Sequence, residues 1–206
     1  PWTLPGNLAV AVGEDIAYAR ITDGDDHYWI AKARAAAVFG EDPNLVAEAM
    51  GSDIVGASYR PPFDYFSSER EAGAFRVISS PEVNFDEGTG LVHMAPAYGE
   101  ADFYALKAAG IESLVDPVNA EGEFTELVPE VSGLNVKVAD DTLIDLLRAS
   151  GSLVHADRVT HSYPFCERTG TPLIYKAIPT WFIRVEDIKD RMVEINDTIH
   201  WVPDYV

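Results

Sequence analysis

The residues best suited to chemistry fall in one run, Gly88-Thr89-Gly90-Leu91-Val92-His93-Met94-Ala95-Pro96-Ala97-Tyr98-Gly99-Glu100-Ala101-Asp102. Gly88 and Gly90 flank Thr89 and, having no Cβ, let backbone amides approach a ligand closely. His93 follows on a candidate strand, Pro96 and Gly99 reverse the chain, and Asp102 lies in the first turn of a candidate helix. A carboxylate there is favoured by the helix dipole and tends to stay ionised, which suits it to hold an ammonium group. The same residues equally fit a turn, a satisfied strand histidine and a helix cap, so local physics leaves both readings open.

Elements must position this run. Short β-rich segments separated by turn residues dominate, a rhythm expected of an α+β fold with a β-barrel core and peripheral helices. Strands are expected over 8–12, 16–22, 74–79, 90–94, 153–160, 173–178 and 181–185. Helices are expected from about Ala31 to Phe39, and from an Asp42 cap with Pro43 in the first turn to Gly51. Three more are expected from Glu100 to Ala109, after a cap at Asp140 or Asp141, and from Glu186 to Asn196. No internal repeat or low-complexity segment interrupts the 206 residues.

Composition excludes several classes. With 34 acidic against 15 basic residues the net charge is −19, and such a field repels the phosphates that a nucleic-acid binder must neutralise. The charge is uneven: eleven acids and one base, Lys107, fall between Ser80 and Glu130, whereas residues 157–200 are close to neutral. Any polyanion is expected to approach that C-terminal quarter. The single cysteine, Cys166, excludes an intramolecular disulfide framework and fits a reducing compartment. One cysteine beside His161 is too few ligands for structural zinc, so no metal and no other cofactor is expected. His27, His155 and His200 lack any motif, and Trp2, Trp29, Trp181 and Trp201 are expected in the core or at a domain junction. No apolar run reaches membrane-spanning length and no secretory leader opens the chain, so a cytoplasmic protein without membrane contact is expected. The start at Pro1 and the end at Val206 read as those of a fragment from a longer protein.

The run from Gly88 to Asp102 closely resembles the signature of the editing domain inserted in class I aminoacyl-tRNA synthetases for branched aliphatic amino acids. Pro1-Trp2-Thr3-Leu4-Pro5-Gly6-Asn7 is similar to the tail of that family's threonine-rich motif, and His161 to Phe182 resembles its return segment. Together these stretches span nearly the whole chain, so residues 1–206 are expected to form a single editing domain, with 157–206 returning toward the catalytic body. His93 and the return segment resemble the isoleucine branch more than the valine or leucine branches.

The resemblance implies a function with a clear physical need. Valine is one methylene smaller than isoleucine, and a pocket built for the larger side chain cannot exclude the smaller. One methylene supplies only about 1–3 kcal/mol of discrimination, a magnitude established on this class of synthetase rather than obtained from this chain. The expected activity is hydrolytic editing of valine from the 3′ end of tRNA(Ile), and of valyl-adenylate, within the parent synthetase. The expected roles are Asp102 holding the α-ammonium, His93 walling the side-chain pocket, and Thr3 and Asn7 beside the reacting ester. Gly88, Thr89 and Gly90 would lie beside the terminal nucleotide or the amino acid. Thr3 and Asn7 also fit a plain turn after Pro5-Gly6. None of these residues forms a Ser-His-Asp or Cys-His arrangement, so a positioned water is expected in place of a covalent intermediate. Positioning of the tRNA 3′ end without hydrolysis is the alternative.

Overall fold

A computed structural model describes residues 1–86, 88–158 and 160–203. Strand β1 (Ala9–Val12) is central in a three-stranded sheet, because its alternate residues Ala9 and Ala11 are small enough to be fully buried. It pairs in parallel with β5 (Arg76–Ser79) and antiparallel with β6 (Val92–Met94), setting Val10 opposite both Val77 and His93. A second three-stranded sheet has β2 (Ala17–Asp23) at its centre, flanked by β3 (Asp26–Ala31) and β4 (Leu45–Met50), all antiparallel.

The two sheets remain separate, and among the described residues no closed barrel is found, so the expected barrel core is not confirmed. The expected strands 153–158, 173–178 and 181–185 do not form, and the isolated bridge between Phe165 and Pro172 lies outside all three. Val159, within the first of these expected strands, lies outside the described residues. Their apolar side chains have no sheet to cover them, and Trp181 is 99% exposed, not buried. The mixture of sheet and helix itself stands as expected.

The helices are α1 (Ala35–Phe39), α2 (Gly51–Ile54), α3 (Glu100–Ala108), α4 (Val136–Ala149) and α5 (Lys189–Asn196). The helix expected from Asp42 to Gly51 is instead strand β4, since β2 offers its backbone a full set of partners and overrides weak local propensity. Helix α4 begins a turn earlier than expected. Asn135 caps it, accepting from the Lys137 amide at 3.1 Å, and Val136, Ala139, Leu143 and Leu147 form its buried stripe. Asp140 is thereby freed for the N-terminal segment: it accepts from the Trp2 amide at 2.9 Å and stands 3.6 Å from the terminal amine.

One core cluster fills the space between the first sheet and α3, with Leu8, Phe75, Ile78, Met94, Leu106 and Ile111. A second lies under α4, with Tyr98, Phe124, Val128, Val131 and Leu143. Among the described residues no helix is long and apolar enough to cross a membrane.

Candidate functional site

A single 3-10 turn, Leu4–Gly6, brings the N-terminal segment to His93. Pro5 presets its first turn, and the Asn7 amide closes it on the Leu4 carbonyl at 3.0 Å. Thr3 and Asn7 then bracket the imidazole: Thr3 Oγ1 lies 2.9 Å from Nε2, and Asn7 Nδ2 lies 3.0 Å from Nδ1. Asn7 is 4% exposed, yet its amide is satisfied. Nδ2 also donates to the carbonyls of Ala9 at 2.9 Å and Met94 at 3.5 Å, and Oδ1 accepts from the Tyr59 hydroxyl.

These partners fix the protons. Two backbone carbonyls require the nitrogen of the Asn7 amide on their side, so His93 Nδ1 must accept and Nε2 must carry the hydrogen given to Thr3. Burial, aided by the Pro1 ammonium, lowers the His93 pKa to about 4, so the ring is neutral at physiological pH. Both ring nitrogens are occupied by Thr3 and Asn7. The arrangement suits a wall or an orienting group better than a general base.

A cleft of about 400 Å³ opens here, lined among others by Asn7, Val10, Tyr59, Arg60, His93 and Ser152. Tyr59, Arg60, Ser150 and Ser152 were not anticipated, since they come from a loop and from the end of α4 and carry no spacing signature. Arg60 is the sole formally charged side chain in the lining. The dense acids of 80–130 therefore do not crowd this cleft.

Asp102 takes a different place. At the third position of α3 its carboxylate turns back over Gly99, where a Cβ would come within 2.9 Å of Asp102 Cγ, and accepts from the Ala95 amide at 2.8 Å. Burial raises its pKa, while the bonds from Ala95 and its own amide pull it down. Burial thus opposes the ionisation expected from the helix dipole alone. The carboxylate is joined to the site through β6, two residues beyond His93, and does not line the cleft.

Gly88, Thr89 and Gly90 sit where the two sheets meet. The Thr89 carbonyl accepts from the Ala31 amide and the Gly90 carbonyl from the Tyr18 hydroxyl, each at 2.7 Å, while Arg34 donates to the Gly88 carbonyl at 3.1 Å. Gly90 has φ +73°, and a Cβ on it would lie 2.5 Å from that of Ala31. The glycine is required for this junction, and no described bond joins it to His93.

A larger cleft, about 560 Å³, lies on the other side of the 96–99 loop and is walled by Phe103, Tyr104, Tyr175 and Ile178. At its base Lys176 pairs with Asp116, which also accepts from the Tyr98 hydroxyl at 3.1 Å. The Ala177 amide bonds to the Ala97 carbonyl at 2.7 Å, so residues 176–177 fasten the C-terminal segment to the body. Among the described residues no three His, Cys, Asp or Glu side chains stand together as metal ligands, Cys166 included.

The fold is similar to that of a solved connective peptide 1 domain from a leucine enzyme, GlLeuRS-CP1, with a TM-score of 0.59 and 18% identity over 77% of this chain and 81% of that one. The likeness is one of fold, that of a connective peptide 1 domain. No protein-family model matches the chain. Among curated proteins it is 47% identical over 210 residues to isoleucine–tRNA ligase of Chlamydia pneumoniae, and 44% identical to those of Bdellovibrio bacteriovorus over 211 residues and Nocardia farcinica over 210. Each alignment takes in all of this chain. The chain is thus similar along its whole length to isoleucine–tRNA ligases, and it spans about 20% of the length of the relatives it matches.

Proposed function

We propose that the chain is a single editing domain that hydrolyses the ester of valine mistakenly attached to tRNA(Ile), and valyl-adenylate, for the catalytic body of an isoleucine–tRNA ligase. The observation that carries the reading is that Asn7 and His93 line one cleft of about 400 Å³, with Thr3 bonded to the His93 ring behind them. His93 walls the side-chain pocket, Asp102 pairs with the α-ammonium when the aminoacyl end enters, and Thr3 and Asn7 orient the ester and its water. Gly88 to Gly90 lie beside the terminal nucleotide, and residues 157–206 lead back toward the catalytic body. Most tRNA affinity comes from that body, because a net charge of −19 gives this chain little electrostatic attraction for phosphates.

The test is a graft. This segment replaces the corresponding one in a related isoleucine–tRNA ligase, and loss of valine and of isoleucine from charged tRNA(Ile) is followed. Selective loss of valine is expected, and equal rates for the two esters would overturn the proposal. The second reading, 3′-end positioning without hydrolysis, is favoured by the occupied lone pairs of His93 and by Asp102 lying outside the cleft lining. It predicts normal charging with no deacylation of either ester.

A further inference from the structure

Tyr59 enters the site from a loop that the motif resemblance does not cover, and three contacts aim it. Its amide donates to the Phe75 carbonyl at 3.0 Å, its carbonyl accepts from Arg70 at 2.8 Å, and its ring packs edge-on against Phe75 at 6.2 Å. Phe75 is itself held in a left-handed conformation, φ +61°, rare for a bulky residue, with its amide donating to the Leu8 carbonyl at 2.7 Å. This linkage ties Tyr59 to the start of β1, one residue from Asn7.

We infer that Tyr59 is a positioning residue: with the Ala9 and Met94 carbonyls it locks the Asn7 amide at both ends, and so holds His93 as the Nε2–H tautomer that donates to Thr3. The hydrogens then run in one direction. Asn7 Oδ1 has no hydrogen, so the Tyr59 hydroxyl must donate to it, leaving its oxygen only lone pairs for any further partner. Asn7 donates to Nδ1, Nε2–H donates to Thr3 Oγ1, and no acceptor among the described residues takes the Thr3 hydroxyl hydrogen. Within this network the Thr3 hydroxyl keeps a free hydrogen and the Tyr59 oxygen a free lone pair, beside the Arg60, Ser150 and Ser152 side chains that also line the cleft. An aminoacyl ester supplies the complements, a carbonyl or ribose oxygen for Thr3 and an ammonium or ribose hydroxyl for Tyr59.

The choice of ligand atoms rests on the editing reading, whereas the tautomer is a property of the protein alone. Long-range proton–nitrogen NMR of the 15N-histidine-labelled chain reads it directly. In the unmodified protein His93 is expected to show protonated Nε2 and unprotonated Nδ1 at neutral pH; the reverse pattern, or a mixture, overturns the inferred direction. In Tyr59→Phe, which keeps the ring, a second population with protonated Nδ1 is expected while far-UV circular dichroism stays unchanged. Unaltered His93 shifts in that variant would remove Tyr59 from the role. Asn7→Asp, which replaces the donor by acceptors, is expected to invert the tautomer to Nδ1–H, and retention of Nε2–H in a folded Asn7→Asp protein overturns the assignment. None of these readouts depends on hydrolysis, so an inactive domain with the expected tautomer would refute the editing reading alone.

Discussion

Asn7 Nδ2 and His93 Nδ1 lie 3.0 Å apart although 86 positions separate them in the chain. The bond belongs to a buried amide with partners on both ends, so its removal strands polar groups on both sides. Asn7→Ala leaves the Tyr59 hydroxyl and His93 Nδ1 without their partner. Unsatisfied buried groups of this kind cost about 2 kcal/mol, which corresponds to a Tm lower by roughly 4–8 °C in a domain of this size. Thermal unfolding of the variant checks this, and an unchanged Tm would show that water replaces the amide.

Protonation of His93 should destabilise the fold. Its folded pKa of about 4 lies below the unfolded value near 6.5, so between those values the unfolded chain binds more protons. The contribution is fully present above pH 6.5 and is lost as pH falls to about 4. It amounts to at most about 3 kcal/mol. Unfolding free energy measured from pH 7 to pH 4 should fall more steeply in the unmodified protein than in His93→Gln, which has no ring to titrate; parallel curves would contradict the shift.

Asp102→Asn separates binding from stability. The amide oxygen can still accept from Ala95, and a partly buried charge is removed, so stability should change by less than about 1 kcal/mol. In the grafted ligase, valine deacylation should fall by about one to two orders of magnitude, the scale of losing one charge-assisted contact of about 1.5–3 kcal/mol. Unchanged deacylation would take Asp102 out of ammonium recognition.

His93→Ala should widen the pocket. Correctly charged isoleucyl-tRNA then becomes a substrate, and the ratio of valine to isoleucine deacylation falls toward one. If the correct product stays intact in the grafted variant, His93 is not the wall.

Two glycines of the same loop should respond differently to alanine. Gly90→Ala combines a left-handed φ with a collision against Ala31, and should cost roughly 2–4 kcal/mol. Gly88 has φ +61° but open space around its Cβ position, so Gly88→Ala should cost only about 1 kcal/mol. Chemical denaturation of the two variants distinguishes a junction glycine from a turn glycine; equal losses would show that backbone conformation alone matters.

The sequence was most legible where chemistry and punctuation coincide. The glycines, His93, Pro96, Gly99 and Asp102 pointed to strand, reversal and helix, and β6 and α3 fall there as expected. Strand β4 was hidden because Asp42-Pro43 and Gly51 imitate helix ends, and only the edge of β2 decides the matter. Segments 173–178 and 181–185 have strand-like composition but no neighbouring edge, a fact that resides in tertiary structure. In the site, Thr3, Asn7 and His93 were found through motif resemblance. Tyr59 was not, because its role depends on where Phe75 and Arg70 place it and on no pattern of neighbouring residues. The meeting of Gly90 with Ala31 likewise depends on two sheets that composition alone cannot orient.

The central position of β1 has a kinetic consequence. Thr3 and Asn7 meet His93 through contacts that span 90 and 86 positions, the costly kind of loop closure that slows folding. No local nucleus contains the site. A nascent chain must therefore extend beyond β6 before any cleft exists, and on refolding the cleft is recovered only when β1 has docked between β5 and β6.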